Sequence, residues 1–247
     1  MNWSWLLPSG KGIPVLMYHK VWPGLNDNLT ITPEKLREQW QFLKKEGYDA
    51  ISLSEYLEIA AGKKPHSAKQ VLLTFDDGYC NNLTYVYPLL KEFKWKATFF
   101  IIANTLDGRK PEEESEIEKK MSLNELQQLD PAIVQLAMHG YEHENMSNTT
   151  LQQSREALSA ALRAFENSKL PFHKVLAYPY GTRPAVGLSE LKGIMADLGI
   201  VGAFRIGNKV SKVPAPDRYE IKRIDIKGGD SLHDFTIKLR KGKLKPF

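Results

Sequence analysis

Short apolar runs, each followed by a stretch with helical pattern or capping signals, set the tightest limit on what this 247-residue chain can fold into. Residues 13–18, 48–51, 71–75, 97–102, 133–138, 174–178 and 219–226 read as strands, being short and rich in β-branched and aromatic side chains. Helical signals fill the gaps. Thr32 with Pro33 opens a helix to about Glu46, and Ser52 with Glu55, Ser122 with Glu125 and Thr150 with Gln153 place further N-termini. Pro88 starts or kinks a helix after the third run, and 189–198 and 231–239 complete the series. Such alternation without a linker predicts parallel βαβ units in an α/β domain spanning residues 1–247. The single cysteine, Cys80, excludes an internal disulfide framework and reads as a packing residue.

Chemistry-bearing residues gather just past the strand ends. His19 follows the first run, Asp76 and Asp77 the third, His139 the fifth, and Pro179 with Tyr180 the sixth. Sites in barrels and open parallel sheets form at those carboxyl ends. In TFDDGY, residues 74–79, two adjacent carboxylates would face opposite sides of an extended strand. Gly78 permits a bend that brings both to the rim. A bound cation would hold one as a ligand and leave the other as a base, while a turn with two solvated aspartates is the plain alternative. His139 and His143, four apart, lie on one side of a helix or strand and can chelate a divalent ion; two loop histidines are the plain alternative. With Asp77 they make three protein ligands and leave a position for water, the pattern of a catalytic metal site. Residues 139–143 also fit H-x-x-E-H, the inverted zinc-peptidase motif. That motif needs a helix, against which Gly140 and the strand-like run before it argue.

TFDDGY, then His-x-x-x-His, then YPYG at 178–181, resembles the polysaccharide deacetylases of the NodB-homology superfamily (carbohydrate esterase family 4). LMYHKV at 16–21 resembles the branch containing poly-N-acetylglucosamine deacetylases. The resemblance spans residues 14–181. It implies a distorted (β/α) barrel of about seven parallel strands that removes acetyl groups hydrolytically from an N-acetylated sugar. It implies Asp76 as general base, and Asp77, His139 and His143 as ligands of one divalent ion. Zn²⁺ suits that set best, with Co²⁺, Ni²⁺ and Mn²⁺ also accommodated. It further implies the Tyr180 backbone N–H in the oxyanion hole and His19 as general acid. His233 in SLHDF is the alternative acid, although 231–239 reads as an amphipathic helix. Gly140 stands where relatives carry Ser or Thr, and Ala177 and Tyr178 occupy the region where relatives place an arginine that pairs with the base. Arg223, on the last strand, is the candidate substitute and a candidate substrate contact, with a structural surface arginine as the plain alternative. Trp22 is a candidate for stacking on a sugar face. The two departures leave open a glycan-binding protein of the same fold without activity.

The charge sits at one end. Lys238, Arg240, Lys241, Lys243 and Lys245 occur in the last ten residues without an acid, equal to the whole excess of 34 basic over 29 acidic residues. The pI near 9.0 thus describes a basic tail over 238–247, expected to be solvated or to touch an anionic membrane or a diphosphate-linked glycan. A basic nucleic-acid groove is not expected. Residues 107–120, ten of them charged, read as a surface loop, and His66 and His173 as solvated. The apolar patch at 3–7 is too short for a signal segment and has no basic residue ahead of it, and no membrane span is legible, so a cytoplasmic place is expected. The expected substrate there is a precursor, lipid-linked in one version, of a surface polysaccharide or O-antigen.

Overall fold

The computed structural model describes residues 12–108 and 115–244. Strands β1 (Val15–Tyr18), β2 (Lys20–Val21) and β3 (Thr30–Ile31) lead into helix α1 (Pro33–Lys45). Then come β4 (Asp49–Ala50), α2 (Leu53–Ala60), β5 (Gln70–Phe75), α3 (Tyr87–Phe93), β6 (Ala97–Ile101), α4 (Leu123–Leu126) and β7 (Val134–Met138). The chain ends with α5 (Leu151–Ser168), β8 (Phe172–Ala177), α6 (Leu188–Asp197), β9 (Gly202–Ile206), β10 (Ile221–Asp225) and α7 (Leu232–Lys241).

Seven parallel strands close into a barrel in the order β1-β10-β9-β8-β7-β6-β5, with β5 pairing back onto β1 from Val15↔Leu72 to Tyr18↔Phe75. The expected number of strands is right, but one member differs. The 48–51 run contributes only β4, which pairs with the start of β5 and stays outside the ring. The seventh wall strand is β9, whose Gly-Ala-Phe-Arg-Ile sequence has a single β-branched residue and no apolar run long enough to announce it.

Alternation along each strand divides the core. Val15, Leu72, Phe100, Val175, Phe204 and Ile221 fill the barrel interior, with Tyr56 and Ile59 of α2 packed among them. Leu16, Leu73, Phe75, Phe99 and Leu136 point outward against Trp40 of α1, Leu90 of α3 and Phe165 of α5. The helices start where their caps put them. Thr32 and Ser52 accept from the backbone N–H three residues on, and reciprocal capping boxes open α4, α5 and α7 at Ser122, Thr150 and Ser231. Pro88 falls in the first turn of α3, where its missing N–H is harmless, after a π-helical turn at Asn82–Val86.

Lys238 and Arg240 belong to α7 rather than to a solvated tail. Lys238 is buried, and its Nζ donates to Asp230 Oδ2 at 2.5 Å and to the Asp225 carbonyl at 2.9 Å. His173 is not solvated either: it lies on β8, half-buried, with Nε2 3.4 Å from Ser54 Oγ. The apolar patch at 3–7 and Lys245 lie outside the described residues.

Candidate active site

Five strands deliver polar side chains to one mouth of the barrel. His19 follows β1, Asp76 and Asp77 follow β5, His139 follows β7, Tyr180 follows β8 and Asp225 ends β10. All line one cleft of about 290 Å³.

The bend expected at Gly78 is present and begins one residue earlier. Asp77 and Gly78 both take left-handed backbone, at φ 70° and 74°, so both carboxylates turn into the cleft. A Cβ on Gly78 would lie 3.0 Å from Ile101 Cδ1. The turn is strapped from outside. Met121 N–H donates to the Gly78 carbonyl and Cys80 N–H to the Lys119 carbonyl, both at 2.8 Å, and Asn81 Nδ2 donates to the Ile117 carbonyl at 3.0 Å. The later part of the expected surface loop is therefore a clamp on the aspartate turn, with Glu118 ion-paired to buried Lys20; residues 109–114 lie outside the described residues. Cys80 packs beside Glu125, and burial followed by that carboxylate pushes its thiol up to about 12, too high for a nucleophile.

Residues 139–143 form a loop rather than a helix, with Gly140 at φ 78° and His143 at φ 61°. That removes the geometry a zinc-peptidase H-x-x-E-H motif requires. Glu144, unremarkable in the sequence, folds this loop: its carboxylate accepts from the Tyr141 N–H at 3.0 Å and the Glu142 N–H at 2.9 Å. A Cβ on Gly140 would stand 2.7 Å from Glu144 Oε2 and 3.2 Å from Pro179 Cγ. Glycine here leaves space for the carboxylate that holds the loop.

Asp77, His139 and His143 point ligand atoms at a shared space, all within 4.8 Å of one another. Asp77 Oδ1 lies 3.3 Å from His139 Nε2 and 3.4 Å from His143 Nε2, yet it is buried and accepts no hydrogen bond among the described residues. Ligand atoms of a tetrahedral zinc ion, with bonds of about 2.1 Å, stand about 3.4 Å apart. A buried carboxylate oxygen at that spacing from two imidazole nitrogens fits a divalent ion. The donor set, one oxygen and two imidazoles, suits Zn²⁺ and its first-row neighbours. His139 Nδ1 lies 2.8 Å from the Ala177 carbonyl, and donating to it leaves Nε2 as the free ligand atom. Burial, then His139, holds His143 below the ordinary histidine range and so in the neutral form that ligates. Burial opposes the charge on Asp77, but His139, His19 and His143 outweigh it and hold the carboxyl well below its usual range.

Asp76 is held by Arg223. The guanidinium reaches across the barrel interior in a bidentate pair, Nη1 to Oδ1 at 2.5 Å and Nη2 to Oδ2 at 2.7 Å. Burial opposes ionisation of Asp76, yet Arg223, then His139 and His19, keep it below the ordinary carboxylate range. Arg223 thus occupies the role of the arginine missing before Pro179. It is fully buried, with its guanidinium 5.3 Å from the Phe100 ring centroid, so the expected substrate contact is corrected: it touches Asp76 and not the cleft. His19 Nε2 lies 3.9 Å from Asp76 Oδ2, and its Nδ1 is buried without a hydrogen bond among the described residues.

Two other expected residues fall elsewhere. Trp22 packs edge-on against Tyr85, ring centroids 6.3 Å apart, and does not line the cleft. His233 is exposed in the first turn of α7, as the amphipathic pattern required, and does not line it either. The exposed aromatic at the cleft is Tyr180, its ring against His143 at 4.4 Å.

The profile of the polysaccharide deacetylase family matches residues 63–200. This chain belongs to that family. YxkH of Bacillus subtilis (strain 168) is 30% identical over 173 residues, which is 68% of this chain and 57% of that protein. The poly-beta-1,6-N-acetyl-D-glucosamine N-deacetylase of Escherichia coli (strain K12) is 34% identical over 99 residues, 39% of this chain and 15% of that protein. The chain therefore spans little more than half of the first of these relatives and a small part of the second. In fold it is similar to the Streptococcus pyogenes deacetylase PplD solved in complex with acetate. There the TM-score is 0.79 at 20% identity, covering 92% of this chain and 98% of that one. It is likewise similar to IcaB from Ammonifex degensii, with TM-score 0.78 at 21% identity over 95% of this chain and 99% of that one. These likenesses agree with the (β/α) barrel of seven parallel strands.

Proposed function

We propose that this polysaccharide deacetylase family member is a divalent-metal-dependent hydrolase that releases acetate from an N-acetylated sugar. The observation that carries this reading is the facing pair of groups in one cleft: the Asp77–His139–His143 ligand set beside an ionised, arginine-held Asp76. A divalent ion held there supplies Lewis acidity toward the acetyl oxygen and the attacking water. Asp76, kept ionised by Arg223, takes the water proton as its hydroxyl adds to the acetyl carbon. The Tyr180 N–H is assigned to the oxygen that gains charge as the carbon becomes tetrahedral. Tyr180 holds left-handed backbone, at φ 57°, in the tight segment after β8. His19, across from Asp76, gives a proton to the sugar nitrogen as the C–N bond breaks. Acetate and a free amine leave.

The finer reading takes Zn²⁺ as the ion and N-acetylglucosamine units as the substrate. The Escherichia coli relative, a deacetylase of poly-beta-1,6-N-acetyl-D-glucosamine, supports the latter. A role in surface polysaccharide or O-antigen assembly, on a lipid-linked precursor, is the corresponding biological proposal. The inactive glycan-binding alternative loses its ground. Arg223 supplies the arginine that the sequence lacked before Pro179, and Glu144 holds the loop at Gly140.

Acetate release from N-acetylglucosamine oligosaccharides, with and without added Zn²⁺, tests the proposal. Asp76→Asn is expected to lower turnover by a factor of about 10² or more while bound metal stays at one equivalent. Normal turnover in that variant removes the base assignment. Elemental analysis of His139→Ala is expected to show loss of the ion, and full retention overturns the ligand set.

A further inference from the structure

The β10 side of the cleft carries two charges that the deacetylation scheme leaves unused. Asp225 and Lys227 both line the cleft, beside Asn28 and His19. They are two residues apart where β10 runs out, and residues two apart on extended backbone project to the same side. Their backbone is fixed from behind. Asp225 N–H donates to Asn208 Oδ1 at 2.9 Å, and the Asp225 carbonyl accepts from buried Lys238. Lys227 N–H donates to Asp230 Oδ2 at 2.8 Å. Among the described residues neither the Asp225 carboxylate nor the Lys227 ammonium makes a hydrogen bond or an ion pair, with each other or with anything else. Burial raises the Asp225 carboxyl above its usual range, against the opposing pull of Lys238, His19 and, through space, Lys227.

A half-buried carboxylate without a donor is a defect unless a ligand supplies one. Alone it would select a cation, as a lone ammonium would select an anion. Side by side and unpaired, the two nearly cancel at a distance, yet each remains a directional partner at contact. That is the complement of a neutral polyol, whose hydroxyls both donate and accept. Leu29, Ile206 and Tyr180 give the same cleft its apolar surface, which suits the carbon face of a pyranose.

We infer that Asp225 and Lys227 are the specificity-determining pair of this cleft, holding a neutral sugar ring by one hydroxyl that donates to Asp225 and another that accepts from Lys227. The inference rests on the deacetylase reading for the identity of the bond that is cleaved. It assigns the pair to binding rather than to the chemical step. An anionic substituent placed beside Asp225, or a free amine beside Lys227, is repelled, so the preferred units are uncharged.

The test measures binding and turnover separately. A neutral N-acetylglucosamine oligosaccharide is titrated calorimetrically into zinc-loaded wild type, Asp225→Asn, Asp225→Ala and Lys227→Met, and kcat and KM are measured on the same compound. Expected are a Kd and KM weakened about tenfold in the Ala and Met variants, with kcat within about threefold of wild type. Asp225→Asn, which keeps shape and loses charge, falls between wild type and Asp225→Ala, and equal melting temperatures show that each variant is folded. Unchanged Kd in both Asp225→Ala and Lys227→Met overturns the inference. So does a fall in kcat with KM unchanged, which would move Asp225 to the chemical step. A wild-type protein that binds the sugar, needs the pair to do so and releases no acetate keeps this inference and loses the deacetylase reading. A wild-type protein that deacetylates, with variants binding as it does, keeps that reading and loses the pair. Absence of both binding and turnover overturns both.

Discussion

Asp76 and Arg223 are 147 positions apart in the chain and form one unit in the cleft. The folded-state pKa of Asp76 lies below its unfolded value near 4, so the pair stabilises the fold above that pH. The contribution disappears as pH falls through the depressed folded value. Arg223→Met leaves a buried carboxylate without its cation, and urea denaturation at pH 7 is expected to show a loss of roughly 3–5 kcal/mol. The same substitution raises the pKa of the base. Since the base must be ionised to act, the acidic limb of the kcat/KM profile is expected to move to higher pH, and an unmoved limb would separate Arg223 from the base. At Gly140 the constraint is steric. Gly140→Ser puts a side chain 2.7 Å from Glu144 Oε2 on left-handed backbone, and zinc affinity by competition with a chelator is expected to fall about tenfold or more. The pairing of Asp76 with Arg223 was legible in the sequence only as a candidate, because no local pattern says which buried arginine faces which carboxylate. Asp225 and Lys227 had less signal still, being charged residues at the end of a strand like several others.

Elements were legible where a cap or an apolar run marked them. The starts of α1, α2, α4, α5 and α7 lie where Thr32, Ser52, Ser122, Thr150 and Ser231 accept from their N3 backbone, a bond made within four residues. Strand β9 escaped because Gly202 and Ala203 carry little apolar surface, and their burial comes from neighbours β8 and β10. The strap over the aspartate turn escaped for a related reason: Glu118, Lys119 and Lys120 read as solvated, while the carbonyls of Ile117 and Lys119, the Met121 N–H and the Glu118 carboxylate make the contacts. Helix α7 gives an element-scale test. Lys238 secures the β10–α7 connection through Asp230 and the Asp225 carbonyl. Lys238→Met is expected to lower stability by roughly 3 kcal/mol, and adding Asp230→Asn should recover part of that by removing the stranded carboxylate. Thermal melts of the two variants decide it, and equal melting temperatures would make the pair dispensable.

At the scale of the molecule, an ion held by Asp77, His139 and His143 would tie three strand ends together, since Asp77 follows β5 and both histidines follow β7 against the carbonyl of Ala177 in β8. A ligand that binds only the folded state stabilises it by RT ln(1 + [L]/Kd), about 4 kcal/mol at a thousandfold excess over Kd. Chelation is therefore expected to lower the melting temperature by several degrees, and added zinc should restore it. Burial opposes protonation of His139, but Asp76 and then Asp77 outweigh it and raise its pKa. A proton thus competes with the ion, and zinc affinity is expected to weaken as pH falls through that raised value. Affinity independent of pH between 5 and 8 would contradict the ligand assignment.

Local patterns in the chain determined most of the alternation of strands and helices, the capped helix starts and which polar residues stand just past the strand ends. Each of these depends on contacts within a few residues or on a pattern repeated along one element. Folding in three dimensions was needed to settle which strands close the ring, that Arg223 rather than a residue near Pro179 holds Asp76, and that His233 and Trp22 lie away from the cleft. It was needed also to bury Lys238. Those outcomes depend on barrel closure, which sets the distance between side chains far apart in the chain, and no local propensity encodes that distance.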